Sequence, residues 1–302
     1  SQGQFDQAIA RGEMPFLRCL IKNHGYQSLA HYSGLPSTTP AVQSELFYGV
    51  KGAVPAFSFR DHRSGHIVRM YEPEEAAKLE EYLTTTGNPQ LLQDGSAYSD
   101  IFTGGATESH FCASSMGWGA TLRAANPLVL LAFLFTNFYS FLRAAVLVPL
   151  ELGLALIDFA RGLIRGQDFI KELTFIPTRI GICILLRELC VIGGKIDISR
   201  GLPIIHLNFL GYDEQSHRRG PNSLFAHWTL KGIDDAVARL WRAAGHAPRR
   251  NYELWIYSDH GQVKVCPFEQ FQGYPLVEAV KSTFTNMNIA PENIHAERTS
   301  SV

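Results

Sequence analysis

The sequence carries almost no net charge, and this limits the partners that it can have. Lys and Arg together number 27 and Asp and Glu number 28, so the formal net charge is −1. A protein that binds nucleic acid through its phosphates needs a basic excess, which this composition does not supply. We therefore expect no nucleic-acid duplex among the partners of the chain.

Cysteine pairs are missing as well. The five cysteines are widely spaced, and none belongs to a C-x-x-C pair: Cys19, Cys112, Cys183, Cys190 and Cys266. An odd number at such spacing argues against a disulfide framework and against a structural zinc knot. No internal repeat or low-complexity tract is present. The 302 residues suffice for one large domain or two ordinary ones with a sizeable core.

The apolar pattern alternates between helix and strand along the chain. It predicts helices at 4–22, 41–49, 73–86 and 223–245, and strands at 25–33, 202–210 and 252–259. This order predicts an α/β fold, a three-layer α/β/α sandwich with a mostly parallel central sheet. In such sheets, ligands bind beyond the carboxyl ends of the strands.

Two polar motifs follow two of the predicted strands. Asp213 and His217 come after 202–210, and Asp259 and His260 end and follow 252–259. Either pair alone is typical of a turn or a helix cap. Neighbouring parallel strands would bring the two pairs together, and Asp oxygens with His nitrogens suit Zn²⁺ or Mn²⁺. Together the motifs therefore predict a metal site.

A third motif, "PSTTP", places Thr38 where a loop becomes a helix. Threonine before proline is a common helix cap, and a capping role alone would explain this motif. The N-terminus of a helix also favours negative charge, so a hydroxyl there beside a divalent ion can be deprotonated and attack phosphorus.

The order of these motifs resembles the alkaline phosphatase superfamily, and most closely its type I phosphodiesterase/nucleotide pyrophosphatase branch. That branch has a threonine nucleophile in a P-x-x-T-x-P-type loop, then D-x-x-x-H after a strand, then D-H-G. The corresponding stretches here are "PSTTP", "DEQSHRRGP" and "SDHG", in the same order. The resemblance spans about residues 1–125 and 200–280.

The resemblance implies a role for each matching residue. Asp213 and His217 match the ligands of one metal ion, and Asp259 and His260 match ligands of a second. Thr38 matches the nucleophile because Pro40 follows it by two residues, and Thr39 is the alternative. The cofactors implied are two divalent metal ions, zinc in the first place, with manganese as an alternative.

Two further ligands of the family have no clear match. One is an aspartate at the end of the first strand, and the other is a histidine well beyond D-H-G, for which His295 is the remaining candidate. We therefore interpret residues 1–302 as a single phosphodiesterase-like catalytic domain that is truncated at both ends.

The middle of the chain predicts a hydrophobic helical insert at 120–175. Residues 127–160 are dominated by apolar side chains, interrupted by Arg143, Pro149 and Glu151. A buried helical hairpin or a dimer-forming insert explains this composition. A hairpin that enters or rests on a membrane explains it equally well. The resulting expectation is an association with a membrane rather than a freely soluble protein.

The function expected from these motifs is metal-dependent hydrolysis of a phosphodiester or pyrophosphate bond. The substrate would be a phosphate-ester small molecule or a lipid head group. Two alternatives stay open at this point: a phosphoryl-group transferase that acts on lipid head groups, and a catalytically inactive, membrane-associated binding protein.

Overall fold

The computed structural model describes residues 1–62, 64–115, 135, 137–164, 166–266 and 268–286. The chain forms two compact units, residues 1–262 and 263–302.

The first unit contains most of the regular structure. Its helices are α1 (Gln2–Ala10), α2 (Pro15–Asn23), α3 (Thr39–Tyr48), α4 (Pro73–Thr84), α5 (Phe138–Ile164), α6 (Phe169–Ile180), α7 (Arg187–Arg200), α8 (Gly211–Arg219) and α9 (Leu224–Gly245). Its strands are β1 (Ser58–Arg60), β2 (Ile67–Arg69), β3 (Ser96–Tyr98), β4 (Glu108–His110) and β5 (Ile205–Leu207). The second unit contains α10 (Phe268–Gln272) and α11 (Leu276–Asn286).

A parallel sheet positions the site. Its strand order is β4-β3-β5, and Ala97 of β3 lies opposite Ser109 of β4 and His206 of β5. Strands β1 and β2 form a separate antiparallel pair. The predicted α/β class is therefore confirmed, but each strand has only three residues. A full three-layer sandwich is not confirmed.

Helices pack on the sheet through two apolar cores. Ala97 and Ile204 belong to a core that includes Phe47 of α3, Leu83 of α4 and Phe102. Residues of β5 contact a second core formed by α7 and α9: Val191, Ile198, Ala236 and Leu240. The helices α3, α4, α7 and α9 thus supply most of the apolar residues that pack around the sheet.

Three predicted elements differ from the structure. The helix expected at 4–22 is two helices, because Gly12 takes a positive φ of 71° and Pro15 starts a new helix. The strands expected at 25–33 and 252–259 are not strands. Each stretch has large apolar side chains that face solvent, such as Leu29 at 78% and Trp255 at 82% exposure, and no sheet face buries them.

The predicted insert at 120–175 is described in part. Residues 120–134, 136 and 165 lie outside the described residues. The remainder forms α5 and the start of α6, which continues through a π-helical turn, Gly181–Leu186, into α7. Among the described residues, α5 is the one helix that is long and apolar enough to cross a membrane.

Candidate active site

Thr38 lies at the N-terminus of α3, as predicted. It is the N-cap residue, with φ −135° and ψ 146°, and Pro40 is in the first turn. Its side chain makes no capping hydrogen bond, and its buried Oγ1 has no hydrogen-bond partner among the residues that the structure describes. A threonine that served only as a cap would use this oxygen to accept a backbone N–H. The hydroxyl of Thr38 is therefore available to another group.

Asp213 and His217 lie one turn apart on α8, just beyond the carboxyl end of β5. His217 Nε2 is 3.2 Å from Asp213 Oδ2, and Gln262 Nε2 donates a hydrogen bond to Asp213 Oδ1. Burial raises the pKa of Asp213, but the hydrogen bond and charge of His217, aided by His260 and Gln262, outweigh it and lower this pKa. The hydrogen bond to Asp213 raises the pKa of His217. Each of the two side chains thus favours the charged form of the other.

His260 joins the other predicted residues together. Its Nε2 lies 3.8 Å from Asp259 Oδ2, 4.0 Å from Asp213 Oδ1 and 3.3 Å from Thr39 Oγ1. The structure therefore brings the two Asp-His pairs into one cluster and places the start of α3 against it. Thr39, the alternative nucleophile, is the threonine that contacts His260 directly.

The segment that carries Asp259 and His260 reaches this position without being a strand. Tyr252 donates a hydrogen bond from its hydroxyl to the Leu202 carbonyl at 2.7 Å, and Arg250 Nε donates to the Gly201 carbonyl at 3.2 Å. These bonds tie the start of the segment to the turn before β5. Side chains thus replace the strand ladder that the sequence predicted.

A chain of polar groups supports the cluster, and it runs from the buried Gln43 and Asp100 to the half-exposed Tyr257. Gln43 of α3 donates a hydrogen bond from Nε2 to Asp100 Oδ1 at 2.8 Å, and Asp100 Oδ2 lies 2.8 Å from His206 Nδ1. His206 Nε2 is 2.6 Å from the Tyr257 hydroxyl. This chain connects α3, β3 and β5 to the segment that carries Asp259.

The electrostatics of this polar chain follow from its burial. Burial raises the pKa of Asp100, although His206 and Gln43 act in the opposite direction. Burial also raises the pKa of the Tyr257 hydroxyl, with smaller contributions from the charges of Asp100 and Asp259. Tyr257 is therefore a hydrogen-bonding group and not a phenolate at neutral pH.

Sequence reasoning missed this polar chain. Asp100, His206 and Tyr257 belong to none of the motifs that point to the site in the sequence. One signal was present: His206 interrupts the apolar run "LPIIHLNFL", and a histidine within a buried strand needs a polar partner.

The donors at the cluster have the right chemistry for a divalent ion but an incomplete arrangement. Carboxylate oxygens and imidazole nitrogens suit zinc and manganese. In the ranges given above, however, no three His, Cys, Asp or Glu side chains are placed so that they could hold a metal ion. His295, the remaining candidate ligand from the sequence, is outside the described residues.

Comparison with known proteins identifies one family. Residues 204–293 match type I phosphodiesterase / nucleotide pyrophosphatase, a family of the alkaline phosphatase superfamily. The matched segment contains β5, α8 and the "SDHG" motif, and it confirms the resemblance in this part of the sequence, whereas "PSTTP" lies outside the match. No curated protein matches the chain, and no solved structure matches it.

Proposed function

Because residues 204–293 belong to the type I phosphodiesterase/nucleotide pyrophosphatase family, we propose that the chain hydrolyses phosphate esters at the cluster of Asp213, His217, Asp259 and His260. The bond cleaved is a phosphodiester or a pyrophosphate, in a small molecule or a lipid head group. One observation carries the proposal. Thr39, at the N-terminus of α3, contacts the same histidine that approaches Asp213 and Asp259, and the hydroxyl of the preceding Thr38 has no hydrogen-bond partner among the described residues.

The metal ligands of the proposal come from two parts of the chain. Asp213 and His217 would hold one divalent ion, and Asp259 and His260 the other, with zinc as the first choice. When bound, such ions neutralise phosphate oxygens and lower the pKa of a nearby hydroxyl. The short separations between His260 and both aspartates support this assignment, because a two-metal site needs its ligands within a few ångströms of one another.

Thr38 is the nucleophile in this proposal. Its Oγ1 loses its proton and forms a bond to phosphorus while the bond between phosphorus and the leaving oxygen breaks, and the leaving oxygen takes up a proton. The oxygen of a water molecule then bonds to phosphorus, the bond between phosphorus and Oγ1 breaks, and Oγ1 regains a proton as the phosphate product leaves. The partial positive charge of the α3 N-terminus stabilises negative charge at that oxygen. Thr39, which is engaged with His260, positions the loop.

Matched substitutions of the two threonines test this assignment. Turnover of a chromogenic phosphodiester and a chromogenic monoester is measured with zinc or manganese, and bound metal is measured in parallel. We expect Thr38→Ala to lower kcat by roughly 10³-fold or more while metal content stays unchanged. Thr39→Ala should lower it less, and Thr84→Ala, on the exposed face of α4, should have no effect.

Other results would overturn parts of the proposal. Near-normal turnover of the Thr38→Ala variant together with an inactive Thr39→Ala variant would move the nucleophile by one residue. No turnover of any phosphate ester by the metal-loaded, unaltered protein would reject the hydrolase itself.

A further inference from the structure

Helix α5 has its polar face inside and its apolar face outside. Its buried side includes two acidic side chains, Glu151 and Asp158, which are only 2% and 3% exposed. The other buried residues on this side are small: Ser140, Ala155 and Gly162. A helix on the surface of a water-soluble protein has the opposite distribution, with its apolar stripe facing the core.

The outward side of α5 is apolar along almost its whole length. Its large exposed side chains are Phe138, Tyr139, Leu142, Val146, Leu150, Leu152, Leu156, Ile157 and Ile164. From Phe138 to Ala160 no exposed residue of the helix is charged, and the first is Arg161. At 3.6 residues per turn, the exposed positions between 142 and 160 cover about 160° of the helix circumference. This arc is wider than the stripe that one neighbouring helix would cover.

The charges on the inward side are neutralised within the protein. Three carboxylates meet three guanidinium groups in what we call the inner network: Glu151, Asp158, Glu172, Arg179, Arg218 and Arg219. Arg219 Nε donates to Asp158 Oδ1 at 2.8 Å, and Arg218 Nη2 donates to Glu172 Oε1 at 2.7 Å. Arg143, the remaining charge on the apolar length of α5, pairs with Asp235 of α9 at 2.9 Å.

The neighbouring helix continues the apolar surface. Helix α6 packs against α5 and exposes Phe169, Ile170 and Leu173, while its Glu172 and Arg179 are buried in the inner network. The two helices therefore have paired charges between them and large apolar side chains outside, with Lys171 as the exposed charged residue of α6.

We propose that the outward face of α5 and α6 contacts the hydrocarbon interior of a lipid bilayer. The 27 residues of α5 extend about 40 Å at 1.5 Å per residue, enough to cross a hydrocarbon core of about 30 Å. Only 17% of its most apolar 18-residue window is buried, which separates it from the core helix of a soluble protein. Charged residues in bilayer proteins face the protein interior and pair there, as Glu151 and Asp158 do.

Flotation with vesicles of phosphatidylcholine tests the proposal on the whole chain. The protein is reconstituted from detergent and separated on a density gradient. We expect the unaltered protein to float with the vesicles and the Val146→Lys/Leu150→Lys variant to float at least tenfold less. The matched control is Leu29→Lys/Leu35→Lys, which places two lysines on exposed apolar positions near the N-terminus and should float normally.

A second variant keeps the test valid if the lysine variant fails to fold. Leu150→Trp preserves the apolar face, and its added fluorescence should be quenched by brominated phosphatidylcholine, whereas that of Leu29→Trp should not. A protein that is monodisperse without detergent and stays at the bottom of the gradient would overturn the proposal. So would a detergent-free dimer that the two lysines convert to a monomer without any flotation, because a second copy would then cover the face.

Discussion

Tyr257 shows how one side chain can hold a segment that no strand ladder supports. The chain from residue 252 to residue 262 forms no ladder with the sheet, and its approach to β5 includes the contact between the Tyr257 hydroxyl and His206 Nε2. Asp100 faces the other ring nitrogen of His206, so that nitrogen carries the proton and Nε2 accepts from Tyr257.

Removing this hydroxyl should loosen the segment. We expect Tyr257→Phe to lower the free energy of unfolding by about 0.5–1.5 kcal/mol, the usual net contribution of one hydrogen bond, and to weaken zinc binding at Asp259 and His260. Chemical denaturation and zinc titration measure the two effects. Tyr32→Phe, whose ring is 77% exposed, is the control. Equal stability of the two variants would show that the contact with His206 is not a stabilising one.

Glu80 is the buried acceptor that shapes the loop after β3. Its Oε1 accepts hydrogen bonds from the Thr103 N–H at 2.6 Å, the Thr103 hydroxyl at 2.7 Å and the Gly104 N–H at 3.2 Å, and also from the Tyr48 hydroxyl. Burial and the neighbouring charge of Glu80 raise the pKa of Tyr48.

Two substitutions of Glu80 distinguish the contribution of its acceptor oxygen to stability from that of its negative charge. We expect Glu80→Ala to destabilise the fold by about 3 kcal/mol or more, because several buried donors lose their acceptor at once. Glu80→Gln keeps one acceptor oxygen and should cost clearly less. Thermal unfolding of the two variants provides the measurement, and an equal loss in both would mean that the negative charge, not the acceptor, matters.

At the scale of elements, the nine residues of α8 contribute both to the candidate site and to the inner network. Asp213 lies in its first turn and His217 in its last turn, where the adjacent Arg218 and Arg219 enter the inner network with Glu172 of α6. The orientation of the predicted metal ligands is therefore fixed by charge pairs with the helical insert.

Removing the charge of Glu172, which pairs with Arg218 and Arg219 of α8, should lower the stability of the protein. We expect Glu172→Gln to lower the stability of the protein by about 3–5 kcal/mol, because two guanidinium groups lose their buried partner. Glu45→Gln is the matched control, since its pair with Lys51 is exposed and should contribute about 0–1 kcal/mol. Unfolding in the same detergent compares the two. A loss of stability no larger than that of the control would contradict a structural role for the network.

At the scale of the whole molecule, a divalent ion would join parts of the chain that are far apart in sequence. Asp213 lies on α8, whereas Asp259 and His260 lie beyond the long helix α9. A ligand that binds only the folded chain stabilises it by about 2.7 kcal/mol at a concentration 100 times its Kd. We expect zinc to raise the Tm of the unaltered protein and to leave an Asp213→Asn/His260→Gln variant unchanged. An equal rise in both would place the zinc elsewhere.

The sequence predicted the helices and the motif positions better than the strands. Helices α3, α4 and α9 were predicted to within a few residues because their periodicity and their Pro or Gly boundaries are local signals. The segment 252–259 resembles a strand in composition, but it is held by single hydrogen bonds from its side chains, to the Leu202 carbonyl and to His206 Nε2, which no local pattern reveals. The ion pairs between Glu151, Arg179 and their neighbours were equally hidden, because they join residues from three separate helices.

The position of β3 in the middle of the sheet sets the order in which a nascent chain can fold. Its partner β4 follows after a short loop, but its other partner, β5, is synthesised only after α5, α6 and α7. While the ribosome makes these helices, β3 has one open edge, and Asp100 has not yet met His206. The helical insert is therefore synthesised before the parallel sheet can be completed, and β5 pairs with β3 only after the chain has returned from the insert to that open edge.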